Sequence, residues 1–134
     1  MLLILFKLGD RRYGLDSRQV VEVVPTLPVR EVPGTPPSVV GIFECRGRVA
    51  PVIDLCLLTV GRPARDVLSS RYLLVQADES GERILALLAE QVIDTLSVDE
   101  KALRDPGLVP PDAPHLGKVI KDADGEMVQC VEVS

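Results

Sequence analysis

The chain has 134 residues, with 20 acidic against 15 basic side chains and a net charge of −5; that balance sets it against non-specific binding of nucleic acid or acidic lipid. A chain of this length buries enough surface for one core without covalent staples. Its three cysteines, Cys45, Cys56 and Cys130, are odd in number and form no C-x-x-C pair, so they read as reduced thiols of a cytosolic protein rather than disulfides or zinc ligands.

Short apolar runs punctuated by Gly and Pro recur along the chain, the pattern of an all-β protein. With four aromatics and no Trp, aliphatic and largely β-branched side chains must build the core, which favours strands. "MLLILF" at the start is too short to span a membrane and lacks the small-residue cleavage pattern of a signal peptide; it reads as the first strand, Leu2 to Leu8. Further strands are expected at Arg12 to Leu15, Val20 to Val24, Ile42 to Cys45, Val49 to Ile53, Tyr72 to Gln76, Ile84 to Leu88, Val92 to Leu96, Lys118 to Lys121 and Met127 to Val133. Single helical turns fit Asp16 to Val20, capped by Asp16 or Ser17, and Asp54 to Leu58, capped by Asp54. A third fits Ser97 to Leu103, where Ser97 and Glu100 match a capping box. The proline-rich stretch Pro25 to Ser38 is read as a rigid connection rather than an SH3 or WW ligand, because it lacks a P-x-x-P helix with flanking basic residues. Arg104 to His115 reads as a mobile loop.

An internal repeat organises these elements. Shifted by 72, Gly9 to Val24 lies over Gly81 to Leu96, with Gly, Arg, Leu, Gln and Val identical at 9, 11, 15, 19 and 20. Shifted by 78, Gly41 to Leu55 falls on Val119 to Val133, bringing Gly47 onto Gly125. Two such overlays in the same order imply two similar β modules, each too small to be stable alone and therefore packed on a shared apolar interface. Residues 1–134 are read as one domain with a first lobe of about residues 9–66 and a second of about 67–134. The strand at 2–8 is free to pair with either.

Chemistry is sparse. His115 is the sole histidine, with no clustered Cys or carboxylate to make a metal site and no G-x-S-x-G elbow to serve; it reads as a packing or surface residue. Asp122, Asp124 and Glu126 do not have the spacing of a calcium-binding EF-hand and read as a solvated turn. No catalytic residue, cofactor site or metal site is assigned. The first repeat carries Arg46-Gly47-Arg48 where the second carries Asp124-Gly125-Glu126. Two basic groups on a rigid turn of an acidic chain suit recognition of carboxylates on a partner, or else are solvated turn charges.

The segment "GIFECRGRVAPVIDL" (Gly41 to Leu55), preceded by "VPGTPPSVVG", resembles the signature of the CheW-like domain family, and "YGLDSRQVVEVV" (Tyr13 to Val24) is similar to that family's other marker. "LLAEQVIDTL" (Leu87 to Leu96) sits where a third pattern belongs, with "LLAEQV" in place of the usual Val-Asp and "FECRG" in place of Asn-Leu-Arg-Gly. The resemblance implies two SH3-like five-stranded β-barrels on a shared hydrophobic interface, with a few short helices. It implies a cytoplasmic, non-catalytic adaptor that couples the cytoplasmic tips of methyl-accepting chemoreceptors to the regulatory domain of a CheA-type histidine kinase, without cofactor, nucleic acid or membrane insertion. Carried over by position, the receptor and kinase interface falls on Val20, Glu22, Arg46, Gly47, Arg48 and Thr95, with Glu22 and Arg46 expected to approach each other. The alternative is a small ligand-binding or enzymatic β-barrel using the cleft between lobes.

Overall fold

A computed structural model describes residues 1–108 and 113–133. All ten expected strands are present: β1 Leu2–Leu8, β2 Arg11–Asp16, β3 Val20–Pro25, β4 Val39–Cys45, β5 Arg48–Asp54, β6 Arg71–Gln76, β7 Ile84–Ala89, β8 Gln91–Ser97, β9 Leu116–Lys121 and β10 Met127–Val131. The one α-helix among the described residues, α1, spans Leu55–Val60. No helix among the described residues is long and apolar enough to cross a membrane.

The strands form two five-stranded sheets, ordered β8-β1-β2-β10-β9 and β3-β6-β7-β5-β4. The second order is the first with five added to or subtracted from each strand number. In both, one pairing is parallel, β2 with β10 and β7 with β5, and the others are antiparallel. The repeat is therefore real in the fold, but the expected lobe boundary at residue 66 is not where the sheets divide. Strands β3 to β7, residues 20–89, make one sheet without interruption, inserted into the other, which is assembled from β1, β2 and β8 to β10. The inner module is a cyclic permutation of the outer one. Leu2–Leu8 pairs with β2 on one side and β8 on the other, wholly within the outer sheet.

Each sheet also has its two edges linked through the chain. Arg30, just beyond β3, exchanges both backbone hydrogen bonds with Ile42 of β4 (2.8 and 2.9 Å). Arg104, beyond β8, does the same with Val119 of β9 (2.9 and 2.8 Å). Each is a single bridge that satisfies one donor and one acceptor of an edge strand. The proline-rich Pro25 to Ser38 stretch, which joins β3 to β4, is fastened to β4 at Arg30.

Burial explains the near-continuous apolar runs of β1, β6 and β7. Alternate residues of a strand face opposite sides. From β6, Leu73 and Val75 enter the core shared between the sheets, whereas Tyr72 and Leu74 fill the interior of the inner module. From β7, Leu87 and Ala89 take the first direction and Ile84 and Ala86 the second. Phe6, Leu8, Tyr13 and Leu15 supply the outer module's side of the shared core. Strands buried on both faces need no polar alternation. Each such buried Leu or Val side chain contributes about 1.5–3 kcal/mol of transfer free energy, so the shared core is what holds the modules together.

The short helices follow their caps. Asp16 caps a 3-10 turn at Ser17–Gln19, its side chain accepting from Arg18 N. Asp54 caps α1 from a buried position, accepting from Cys56 N (2.9 Å), Leu57 N (3.1 Å) and, beyond the helix, Ala64 N (2.9 Å). Replacing Asp54 by Ala leaves three amides without that acceptor, and the loss is expected to cost about 2–3 kcal/mol in urea unfolding. A cost within about 0.5 kcal/mol of zero would mean that water replaces the carboxylate there. The expected Ser97 to Glu100 capping box does not form. Ser97 ends β8, and Asp99 caps a 3-10 turn at Glu100–Ala102 instead, because β8 extends through the would-be cap. Of the stretch read as a mobile loop, residues 109–112 lie outside the described residues.

Candidate functional site

The β4–β5 hairpin closes through a two-residue turn. Cys45 and Arg48 are paired, and Arg46 and Gly47 between them have φ of 52° and 79°. Positive φ at both central positions is what a type I′ hairpin turn requires, and it suits Asn-Gly or Gly-Gly far better than Arg-Gly. Arg46 is the only described non-glycine residue with positive φ, at a cost of about 1–2 kcal/mol relative to glycine.

From that turn the Arg46 guanidinium reaches β3 and grips Glu22 with two contacts, Nη1 to Oε2 at 2.9 Å and Nη2 to Oε1 at 2.7 Å. β3 and β4 are the opposite edges of the inner sheet, so this fork-to-fork pair bridges them. The Arg46 side chain is 76% exposed, which leaves its outer face open to a partner. Arg48 is engaged elsewhere. Its Nη2 donates to the carbonyls of Gly81 (3.0 Å) and Glu82 (3.1 Å), tying the hairpin to the β6–β7 turn. Both arginines are thus engaged within the chain, Arg46 by a carboxylate and Arg48 by two carbonyls.

Val20 begins β3 opposite Val75 and is half-buried against the shared core. Thr95 is exposed on β8 of the other sheet, opposite Ile4, with its amide on Asp94 Oδ1 (2.8 Å). The fold thus brings Glu22, Arg46, Gly47 and Arg48 together around one hairpin and places Thr95 on the edge strand of the other module.

The matching hairpin of the outer module reverses the polarity. Arg12 on β2 holds Asp122 and Asp124 of the β9–β10 turn. Asp122 also accepts the amides of Asp124 (2.9 Å) and Glu126 (3.0 Å). Burial opposes ionisation of Asp122, but the Arg12 hydrogen bond and those amides outweigh it and hold the carboxyl below its usual range. Arg12 thus offsets part of the turn's negative charge from within the chain. Among the described residues, no group of three His, Cys, Asp or Glu is placed to hold a metal ion. His115 packs with Nε2 2.8 Å from Thr59 Oγ1, and burial lowers its pKa.

Sequence reasoning treated Glu90 only as a departure from a family pattern. It is fully buried where the chain crosses from β7 of the inner sheet to β8 of the outer. Its carboxylate takes a forked contact from Arg62 (2.7 and 3.1 Å), the Arg65 amide (2.8 Å) and the Gly9 amide (3.1 Å). The Arg62 contact leads, and with the amides it outweighs burial and pulls the pKa from 4.5 to about 2. The Cys56 thiol lies 3.7 Å away; burial and this carboxylate push it up to about 11, far from the reactive thiolate range. The only signal in the sequence was one acidic residue inside an apolar run, with no spacing to name its partners.

The profile of the CheW-like domain family matches residues 2–134. Similar proteins include the "Probable chemotaxis protein CheW" of Rhizobium etli, 28% identical over 102 residues, which cover 76% of this chain and 64% of that one. The chain thus spans somewhat less than two thirds of that relative. The chemotaxis protein CheW of Rhizobium meliloti is 25% identical over 132 residues, covering 98% of this chain and 83% of that one. Among solved structures, the scaffolding protein TtCheW of Thermoanaerobacter tengcongensis superposes with a TM-score of 0.85 at 25% identity, over 98% of this chain and 84% of that one.

Proposed function

The chain belongs to the CheW-like domain family, and from that membership we propose that it is a non-catalytic adaptor coupling methyl-accepting chemoreceptors to a CheA-type histidine kinase. The observation that carries the docking assignment is Arg46. An arginine is held in a left-handed turn conformation that glycine would take without strain, and its exposed guanidinium stands on Glu22 between the two edge strands of the inner sheet. Strain kept at an exposed, charged tip is poorly explained by folding stability and well explained by presentation of a charge. The pair itself contributes only about 0–1 kcal/mol at such exposure, so its value lies in aim.

In this reading Val20, Glu22 and Arg46 form one wall of the receptor groove and Thr95 lines it from the other module. Gly47 and Arg48 set the turn that positions Arg46. A receptor carboxylate meets Arg46, and the Glu22 contact either orients the guanidinium or is exchanged for the partner's. The adaptor works in the cytoplasm beside receptor arrays, and its action is geometric: adaptor and kinase domain alternate, and receptor tips dock beside them.

Biolayer interferometry against a receptor-tip fragment and against the kinase regulatory domain tests this. The wild-type chain is expected to bind at about 10 μM or tighter. Arg46→Asn suits the turn, so stability should stay within about 1 kcal/mol or rise, while binding of at least one partner weakens about tenfold or more. Equal binding of both partners by the variant removes Arg46 from the site. A wild-type chain that binds neither removes the adaptor reading.

A further inference from the structure

A guanidinium can grip a carboxylate along either of two edges, end-on through both Nη atoms or side-on through Nε and Nη2. At Arg46 the end-on edge is taken by Glu22, from Nη1 (2.9 Å) and Nη2 (2.7 Å). Among the described residues nothing meets Nε. The side-on edge, Nε with the second hydrogen of Nη2, therefore stands open on an exposed side chain.

Elsewhere the chain uses that edge and shares its arginines. Arg18 holds Asp16 side-on, through Nε (3.1 Å to each oxygen) and Nη2 (2.7 Å), while Nη2 also lies 3.4 Å from Glu100. Arg12, at the matching hairpin, serves both Asp122 and Asp124. Arg46 has one carboxylate among the described residues and room for a second.

Glu22 is costly to release. Its side chain is 28% exposed, so a partner covering the tip strips water from it. If Arg46 then left it for the partner, a charged and desolvated carboxylate would stay behind unpaired. That costs far more than an exposed pair is worth. Kept in place, the contact fixes the plane of the guanidinium before docking and reduces the side-chain entropy lost on binding.

We propose, on the adaptor reading above, that Arg46 docks by sharing and not by exchange: a receptor carboxylate takes the open Nε–Nη2 edge while Glu22 keeps the other. Glu22 is then a positioning residue that aims the fork. The receptor must present its carboxylate side-on, in the plane of the existing pair, which makes the contact selective for geometry as well as charge.

Biolayer interferometry against the receptor-tip fragment, with Arg46→Lys, Glu22→Gln and Arg46→Asn, separates sharing from exchange. Each variant is first required to melt within a few degrees of wild type. Lysine keeps the charge and the backbone strain of the turn but has no Nε edge. Arg46→Lys is therefore expected to weaken binding about tenfold, as far as Arg46→Asn does. Glu22→Gln is expected to weaken it about threefold or more, because the guanidinium loses its aim. Exchange predicts the opposite sign, since a competing carboxylate is gone. By NMR of the isotope-labelled chain, the Arg46 Nε–H signal should move downfield and exchange more slowly with water when the fragment is added. Arg46→Lys binding within about twofold of wild type overturns the proposal and leaves Arg46 in the site. So does Glu22→Gln binding as tightly as wild type or tighter, or an Nε–H signal indifferent to the fragment. Arg46→Asn that binds like wild type, or a wild-type chain that does not bind the fragment, overturns the proposal together with the docking role of Arg46.

Discussion

Glu90→Gln is expected to lower the unfolding free energy by about 3 kcal/mol at neutral pH, and Glu90→Ala by up to about 5 kcal/mol. Glu90 joins the modules at their crossing. It accepts from Gly9 of the outer module and from Arg62 and Arg65 of the inner one. Glutamine keeps the volume but loses the charge and turns an amide group toward the guanidinium. Alanine also strands the Gly9 and Arg65 amides in a buried pocket. The effect carries a pH signature. With its folded pKa near 2 against 4.5 unfolded, Glu90 contributes its full stabilisation above the unfolded value and loses it as pH falls from there toward 2. In urea unfolding from pH 7 to pH 2.5, the gap between wild type and Glu90→Gln should therefore narrow steadily below about pH 5. A gap that stays constant over this range would trace the loss to packing and not to the buried charge.

Gly41→Ala is expected to destabilise by about 2–4 kcal/mol, although alanine ordinarily suits a strand better than glycine does. A β-carbon at Gly41 would stand 2.5 Å from the Arg30 carbonyl oxygen and 2.9 Å from its carbon. That carbonyl accepts from Ile42 N in the bond pair that covers the β4 edge. The strand also shifts register between Val39 and Gly41, as strands do where an extra residue bulges. The substitution must open the Arg30–Ile42 pair or displace β4, and backbone on both sides leaves little room to yield. Amide hydrogen exchange at Arg30 and Ile42 separates the two outcomes. Faster exchange at both, ahead of the rest of the sheet, is the expected result. Unchanged exchange together with unchanged urea stability would show that the edge accommodates a side chain.

Period and composition alone placed the ten strands, since alternation and β-branching act locally and each run carries its own signal. Asp16 and Asp54 were legible as caps because a cap's partners lie within a few residues. Ser97 was misread because its competing role, as the last residue of β8, depends on pairing with Leu2, far away in the chain. The β4–β5 hairpin tip was half legible. Subtracting one repeat from the other isolated Arg46-Gly47-Arg48, but not that Arg48 would be bound to the Gly81 and Glu82 carbonyls.

What the sequence determined by itself was two sets of five strands in the same order. Which sheet each strand joins was decided only in three dimensions: residues 20–89 close on themselves, and the ends of the chain meet around them. Backbone hydrogen bonds are alike in every strand and side-chain alternation fixes a face, not a neighbour. The partners were chosen by the shared core, where Phe6, Leu15, Leu73 and Leu87 pack together. Glu90 became a joint for the same reason: its partners, from Gly9 to Arg65, are scattered along the chain and converge only once both sheets are in place.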